Sequence, residues 1–313
     1  MTAEAKIDVI IPAYKPDESF QKMIGRLMKQ TVLPNHIYIL QTIENEGDAL
    51  MHPEDERISV HPVLKKDFDH GATRHYGATL SQGEYLLCMT QDAMPADSHV
   101  LEQLLAAFED EKTGIAYGRQ LAREDADILE RLAREHNYPK ESRVKSADDI
   151  EQLGIKTYFC SDVCAMYRKD IYEKLGGFVH PTIFNEDMIM ASAVIQAGYQ
   201  VAYQAEAKVI HSHSYTCMQQ FHRNFDLGVS QRQYREVFER ISSEKEGAGF
   251  AKNSLKYLLK KGKLWKAFYF ALQCGFKLFG YKLGKAYDKL PKKMVLACTM
   301  SPAYFAKLEK NQQ

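Results

Sequence analysis

The chain has 313 residues, of which 45% are hydrophobic and 26% charged, the composition of a globular protein that buries a sizeable core. This composition excludes disordered, collagen-like and low-complexity proteins, and no apolar run approaches the roughly 18 residues of a membrane-spanning helix. The N-terminus lacks the pattern of a secretory signal, and the six cysteines show no paired zinc-type spacing, which is typical of reduced thiols in a cytosolic protein.

Charge is distributed unevenly, although the formal net charge of the whole chain is zero. The segment from Ala251 to Lys293 contains twelve lysines and one acid, Asp288, and carries a net charge of +11. The rest of the chain therefore carries −11. A basic segment attached to an acidic body favours a polyanionic partner, either nucleic acid or an anionic membrane surface.

The first 120 residues alternate short apolar runs with helical patterns. Strands are predicted at 7–11 (ended by Pro12), 36–41, 58–63, 84–89 and 115–118, and helices at 19–30, 70–81 and 98–109. This alternation predicts an α/β fold with a mostly parallel central sheet. Because such sheets bind ligands beyond the carboxyl ends of their strands, residues 12–14, 42–45 and 90–95 are of interest.

After a charged stretch at 124–154 the chain returns to α/β character. The predicted elements are an apolar segment at 158–167, a helix at 186–197 and strands at 200–203 and 208–211. Beyond Tyr215 the pattern is helical. Glycine and alanine interrupt a charged run at 246–249 and predict a loose boundary there.

Three carboxylates are candidates for the chemistry. Asp92 directly follows a predicted strand, where it could hold a divalent cation; a surface turn before a helix is the alternative. Glu186 and Asp187 open a predicted helix, whose dipole favours acids even without a function. The functional interpretation is that this pair supplies a general base. Asp187 is the preferred residue, and its neighbour Glu186 is the alternative.

Histidines and an arginine complete the candidate set. His211 and His213 end a strand at a spacing of two, which directs both to one face as metal ligands or phosphate contacts. His70 and Arg74 lie at the start of a helix, where amides and a guanidinium suit a phosphate. Ordinary satisfied polar side chains and a capped helix are the alternatives. The chain has no GxGxxG, GxxxxGK[ST] or GxSxG motif.

Taken in order, these segments resemble an inverting family 2 glycosyltransferase of the GT-A fold, over about residues 7–234. VIIPAY at 9–14 resembles the first strand and base-binding turn of that family. TQDAMP at 90–95 resembles the variant of its metal-binding DxD motif found in bacterial rhamnosyltransferases. The segments at 70–74, 185–187 and 211–215 fall where those enzymes carry similar stretches.

Two positions differ from the family pattern. Thr90 stands where a full DxD has its first acid, and QTIEN at 41–45 stands where the family often has an aspartate. Glu44 is the residue that could serve there.

The resemblance, with the boundary at 246–249, implies a Rossmann-like GT-A catalytic domain at 1–246. The lysine count and the helical pattern predict a basic, amphipathic helical region at 250–313. The resemblance also implies transfer of a sugar from a nucleotide-sugar donor, with L-rhamnose from dTDP-rhamnose favoured, to a saccharide or lipid-linked acceptor. Inversion at the anomeric carbon and a role in cell-wall, capsular or O-antigen-type polysaccharide synthesis are expected. A cation, Mg²⁺ or Mn²⁺, is expected on Asp92 with His211, or with His213 as the fallback. The expected donor contacts are Pro12, Ala13, Tyr14, Glu44, His70, Arg74, Gln91, Asp92 and Arg232, the last from a segment at 224–234 that would close over the site.

Apolar residues between 254 and 290 recur at steps of three, four or seven and predict a single stripe with lysines opposite. Its expected members are Leu255, Leu258, Trp265, Tyr269, Leu272, Phe276, Phe279, Leu283 and Tyr287. Glycines 262, 275, 280 and 284 are expected to break the stretch into shorter helices. Aromatic residues with unmixed lysines favour docking on the anionic inner face of the cell membrane; packing of the stripe on the catalytic domain is the alternative.

Two other function classes compete. A nucleic-acid-binding protein would use the lysines, but such sites usually mix arginine with aromatic platforms, so no nucleic acid is expected. A non-catalytic nucleotide-sugar-binding module would not need Asp92 and Asp187 together.

Overall fold

The computed structural model describes residues 5–239 and 244–310. Within them a nine-stranded sheet forms the centre of the molecule. Its strands are β1 (Ile7–Tyr14), β2 (His36–Ile43), β3 (Ile58–Leu64), β4 (Tyr85–Met89), β5 (Met94–Pro95), β6 (Thr113–Leu121), β7 (Arg143–Lys145), β8 (Cys164–Arg168) and β9 (Gln200–Ile210). Their order is β3-β2-β1-β4-β8-β6-β9-β5, with β7 beside β9. β1 to β4 run parallel and β8 is antiparallel to both neighbours, so the predicted mostly parallel α/β sheet is confirmed and is mixed.

Helices follow the strands as predicted and continue through the C-terminal part. They are α1 (Glu18–Leu27), α2 (His70–Leu80), α3 (Val100–Ala106), α4 (Ile128–Asn137), α5 (Ile150–Leu153), α6 (Lys169–Lys174), α7 (Glu186–Gln196), α8 (Cys217–Gln233), α9 (Arg235–Phe238), α10 (Glu244–Lys260), α11 (Leu264–Lys285), α12 (Lys292–Cys298) and α13 (Pro302–Lys310). No helix in the described part of the chain is both long enough and apolar enough to cross a membrane.

The sheet separates two hydrophobic cores. Val9 and Ile11 of β1 pack with α1 and α3, whereas Ile10 faces the core that contains α7. This is the period-two alternation of a strand buried on both faces. The carboxyl ends of the parallel strands therefore have a fixed position relative to helices on either side.

Two strand predictions are wrong. Pro12 does not end β1, because β1 pairs with β4 only from Ile7 to Ile10 and continues along β2 alone. Because Pro12 lies past the end of the β1–β4 pairing, its missing N–H removes no hydrogen bond to β4. The strands predicted at 200–203 and 208–211 are the single strand β9, whose register against β6 shifts after Gly118.

The C-terminal helices pack on the sheet-containing body. α11 lies against α8, and Leu258, Ala267 and Phe270 form a cluster with residues of α4. The predicted boundary at 246–250 falls inside α10, which runs from Glu244 to Lys260, while residues 240–243 lie outside the described chain. The division into two domains remains a prediction.

The single apolar stripe predicted for 254–290 is wrong. Gly262, with a φ of +66°, separates α10 from α11, so residues on the two sides of it do not share one helical face. Trp265, Leu272 and Phe279 are exposed, and the side of α11 that is buried carries Ala267, Phe270, Gln273, Gly280, Tyr281 and Gly284.

Glycines 275, 280 and 284 do not break α11. Gly280 and Gly284 allow close packing on α8: a Cβ on Gly280 would lie 2.2 Å from the carbonyl oxygen of Phe221. A Cβ on Gly284 would lie 2.0 Å from that of Phe225. Gly275 has nothing within 4 Å of the same position.

We expect Gly284→Ala to lower the free energy of unfolding by about 1–3 kcal/mol, because the added methyl group forces α11 away from α8. Gly275→Ala is the matched control in the same helix. It is expected to raise stability by up to about 1 kcal/mol through helix propensity. Thermal unfolding of the two variants measures the difference, and equal midpoints would contradict the close helix contact.

Candidate active site

A cavity of about 400 Å³ opens at the edge of the sheet where β4, β6 and β9 end. This is the edge at which α/β sheets bind ligands. It brings together most of the residues singled out for chemistry from the sequence. These are His70, Arg74, Asp92, Glu186, Asp187, His211 and His213.

Asp92 and the two histidines form a compact cluster. Their potential ligand atoms all lie within 4.8 Å of one another. The Nε2 atoms of His211 and His213 are 3.4 and 3.2 Å from the two carboxylate oxygens of Asp92. The two Nε2 atoms are themselves 2.9 Å apart. Two imidazole nitrogens and a carboxylate that converge in this way fit a divalent cation.

A hydrogen bond to Gln120 fixes the orientation of the His211 ring. Its Nδ1 donates to the side-chain oxygen of Gln120 at 2.9 Å, which directs Nε2 towards Asp92. The Gln120 amide donates in turn to Tyr138 and Ser161. Burial opposes ionisation of Asp92, but hydrogen bonds from His211 and His213 outweigh it and hold the pKa of Asp92 below its ordinary value.

Arg74 is the centre of a buried ion network. Its Nη1 lies 3.0 Å from Glu186 and its Nε lies 3.3 Å from Asp162. All three residues are buried. The guanidinium expected to contact a phosphate therefore has carboxylate partners and joins α2 to the start of α7. Burial, opposed by Arg74, raises the pKa of Asp162 to about 7.

Asp187 lies beside this network and lines the cavity. Its carboxylate accepts hydrogen bonds from the backbone N–H groups of Asp162 (3.2 Å) and Met188 (2.7 Å). Burial, with Glu186 and Asp162 nearby, raises the pKa of Asp187 well above that of an ordinary aspartate. The residue before this pair, Asn185, is left-handed with a φ of +67°. Such backbone is often found at functional sites.

Predicted nucleotide contacts collect at the ends of β1 and β2. The Tyr14 N–H donates to Gln91 at 2.6 Å, and the Gln91 amide donates to the Tyr14 carbonyl. The Tyr14 hydroxyl and Lys65 Nζ both donate to Glu44, the latter at 2.8 Å. These bonds lower the pKa of Glu44. Pro12 and Ala13 lie within β1, and the Ala13 side chain is packed in the core.

His70 connects the two groups of residues. It lines the main cavity and also a cavity of about 270 Å³ that contains Tyr14 and Lys65. A ligand could therefore extend from Tyr14, past His70, to Asp92. Lys65 was missed in the sequence, although it follows β3 at the same edge and the strand-end rule could have found it.

Arg232 does not join the site. Its guanidinium pairs with Asp288 at 2.8 Å and with Glu239 at 3.8 Å. The segment predicted to close over the site belongs to α8, whose packing against α11 holds it in place. Two other cations, Arg223 and Lys277, line the cavity instead. Lys277 had no sequence signal, because it is one of twelve lysines in its segment.

Comparison with known proteins identifies the group to which this chain is similar. Residues 8–176 match the model of the family described as glycosyl transferase family 2. The O-antigen chain rhamnosyltransferase RfbN of Salmonella typhimurium strain LT2 is 37% identical over 97% of both chains. The O-antigen chain rhamnosyltransferase WbaN of Salmonella anatum is 35% identical over 96% of both.

Solved structures share the fold at low identity. The mannosyltransferase PcManGT from Pyrobaculum calidifontis, solved with GDP-Man and Mn²⁺, aligns with a TM-score of 0.54 and 13% identity. That alignment covers 99% of this chain and 80% of PcManGT. TarS 1–349 of S. aureus aligns with a TM-score of 0.50 and 12% identity over 91% of both chains. The predicted GT-A fold is confirmed.

We expect Asp92→Ala to weaken Mn²⁺ binding about tenfold or more, since the substitution removes the anionic member of the three converging groups. Calorimetric titration with Mn²⁺ alone measures the affinity. Asp125→Ala, which removes an exposed acid that pairs with Arg123 on the surface, is the control. An Asp92→Ala variant with unchanged Mn²⁺ affinity would exclude this cluster as the metal site.

Proposed function

The chain belongs to glycosyltransferase family 2, and from this membership we propose that it transfers L-rhamnose from dTDP-rhamnose, with inversion, in O-antigen-type polysaccharide synthesis. The observation that carries the proposal is one cavity in which Asp187 and the cluster Asp92–His211–His213 converge. The names of RfbN and WbaN support the sugar and the polymer. The acceptor in this proposal is a lipid-linked saccharide.

The cluster Asp92–His211–His213 would hold Mg²⁺ or Mn²⁺, which when bound offsets the negative charge of the leaving nucleoside diphosphate. In this proposal the nucleoside binds near Tyr14 and Lys65, which both contact Glu44, and His70 lies between it and the cluster. A donor bound in this way would direct its anomeric carbon towards the main cavity, which Asp187 lines.

Asp187 acts as the general base in this proposal. It accepts a proton from the acceptor hydroxyl as that oxygen attacks the anomeric carbon and the diphosphate leaves from the opposite face. Its raised pKa suits a base, because a carboxylate of ordinary pKa holds a proton weakly at neutral pH. Glu186 is the poorer choice since its Oε1 atom is paired with Arg74 and its side chain is buried.

The test combines product analysis with one variant. Incubation with dTDP-rhamnose, Mn²⁺ and a lipid-linked saccharide is expected to give a rhamnosylated product with anomeric configuration opposite to that of the donor. Asp187→Asn keeps the shape but removes the base, so kcat is expected to fall about 10²-fold or more with little change in donor affinity. In the wild type, activity should fall as pH decreases through the raised pKa of the acidic cluster, because the base becomes protonated.

Asp170→Asn is the matched control. Asp170 also lies in the first turn of a helix and accepts a 2.7 Å hydrogen bond from the next backbone N–H, but it is exposed. Its substitution should leave kcat unchanged. Retention of configuration, absence of rhamnosyl transfer by the wild type, or near-normal kcat in Asp187→Asn would contradict the corresponding part of the proposal.

We also propose that the enzyme docks on the anionic inner face of the cell membrane through α11. The exposed side of this helix is apolar over about 22 Å. Trp265, Phe268 and Phe279 are 76%, 60% and 63% exposed, and the first two rings stack at 5.5 Å. Aromatic side chains of this kind are favoured at the lipid interface.

Lysines support an anionic bilayer as the partner. Lys260, Lys261 and Lys263 are exposed just before α11, and Lys282 is exposed near its end. Each lysine near an anionic leaflet contributes about 1 kcal/mol. A nucleic-acid partner is not favoured, because the exposed side of α11 presents hydrocarbon between these cations.

We expect the double variant Trp265→Ser/Phe268→Ser to bind vesicles of phosphatidylglycerol at least about tenfold more weakly than the wild type, since two interfacial aromatic groups are lost. Co-sedimentation at low and high salt measures binding, and salt should weaken the wild type. Leu33→Ser, which changes an exposed apolar side chain in another part of the molecule, is the control. Equal binding by the double variant, or no wild-type binding at low salt, would contradict docking through α11.

A further inference from the structure

Two cations in the active-site cavity have no acidic partner in the described part of the chain. They are Arg223 on α8 and Lys277 on α11. Their charges are close enough for Arg223 to lower the pKa of Lys277. Two like charges held near each other at one part of a cavity favour a bound anion there, even though acids line other parts of the cavity.

The acid near Lys277 is Glu130, which makes no ion pair with it among the described residues and whose Oε1 atom has other partners. The Oε1 atom of Glu130 accepts hydrogen bonds from Arg134 Nε at 3.0 Å, from Ser212 Oγ at 3.2 Å and from the His213 N–H at 3.1 Å. Lys277 is half-buried, and burial is the main reason for its lowered pKa. An ammonium group that loses water without gaining a counter-ion is destabilised until an anion binds.

Arg223 is held by aromatic rings rather than by a carboxylate. Its guanidinium carbon lies 4.6 Å from the centre of the Phe184 ring and 5.6 Å from that of Tyr215. Stacking of this kind orients the planar group while its N–H donors remain available. Phe184 lies three residues before Asp187, so Arg223 is adjacent to the segment that carries the proposed base.

A further cavity, different from the one that contains Tyr14 and Lys65, extends this site away from Asp92. It measures about 290 Å³ and shares Lys277, His213 and Tyr215 with the main cavity. Its far wall includes Phe250 of α10 and Tyr269 of α11. Lys277 therefore lies where the two cavities meet, and a ligand that occupies both must pass it.

We propose that Arg223 and Lys277 bind a diphosphate group of a substrate. The assignment rests on the proposed glycosyl transfer. Two substrates supply this chemistry: the nucleoside diphosphate of the donor and the polyprenyl diphosphate of a lipid-linked acceptor. The continuation of the cavity towards α11, whose outer side is apolar, favours the acceptor.

The test uses Lys277→Met and Arg223→Met in the full-length protein, because methionine retains much of the apolar stem and removes the charge. Calorimetry with inorganic pyrophosphate measures the site directly, and at least tenfold weaker binding is expected in each variant. Lys289→Met, at an exposed lysine after α11, is the matched control and should bind pyrophosphate as the wild type does. Thermal unfolding establishes that the variants are folded.

Two further measurements, KM for the acceptor and Kd for dTDP, distinguish the two possible sources of the diphosphate. If the acceptor supplies the diphosphate, KM for a polyprenyl-diphosphate saccharide rises at least tenfold in both variants. The Kd of dTDP with Mn²⁺, and KM for the same saccharide on a neutral alkyl chain, then stay unchanged. If the donor supplies it, the Kd of dTDP rises instead.

Unchanged values for pyrophosphate, dTDP and the lipid acceptor in folded variants would overturn the assignment. A wild type that binds pyrophosphate through these cations but transfers no rhamnose would refute the proposed function and leave the anion site intact.

Discussion

The buried positive charge of Arg74 is the constraint on which the candidate active site depends. It lies among three carboxylates, of which Glu186 and Asp162 are within 3.3 Å of its nitrogens. Removing a charge from water is expensive, so Arg74 holds these acids and with them α2, α7 and the loop before β8. One arginine cannot neutralise three acids. Burial and, after it, the neighbouring acids Glu186 and Asp162 raise the pKa of Asp187, which faces the cavity.

The cluster Asp92–His211–His213 was accessible from the sequence because it follows from two local rules. Strand periodicity places His211 and His213 on one side, and the carboxyl-edge rule brings them to Asp92, more than one hundred residues away. The sequence identified Arg74 as a candidate site residue, but it did not predict which groups the Arg74 side chain contacts. Whether an arginine near the start of a helix contacts solvent, phosphate or a buried acid depends here on α7, which lies more than one hundred residues along the chain.

The C-terminal region was harder to predict because the largest side chains do not mark its packed face. α11 approaches α8 through Gly280 and Gly284, where the absence of a Cβ lets two backbones come together. The hydrophobic periodicity follows the aromatic residues instead and therefore selects part of the opposite side. Likewise, lysine counts identify a basic region, yet only the packing of α11 shows that Lys277 faces the cavity while its neighbours along the chain do not.

α11 consequently has three sides with different surroundings. One packs against α8, one supplies Gln273 and Lys277 to the cavities, and one presents Trp265 and Phe268 to solvent. Because an α-helix is only about 10 Å across, a bilayer on the outer side would lie within a helix diameter of the cavity wall. The diphosphate of a lipid-linked acceptor joins its apolar chain directly to its saccharide, so the distance between membrane and base is set by the acceptor itself. A helix that is apolar outside and cationic inside would meet that geometric requirement, and the proposed docking would account for outer residues that are not polar as on an ordinary solvated helix.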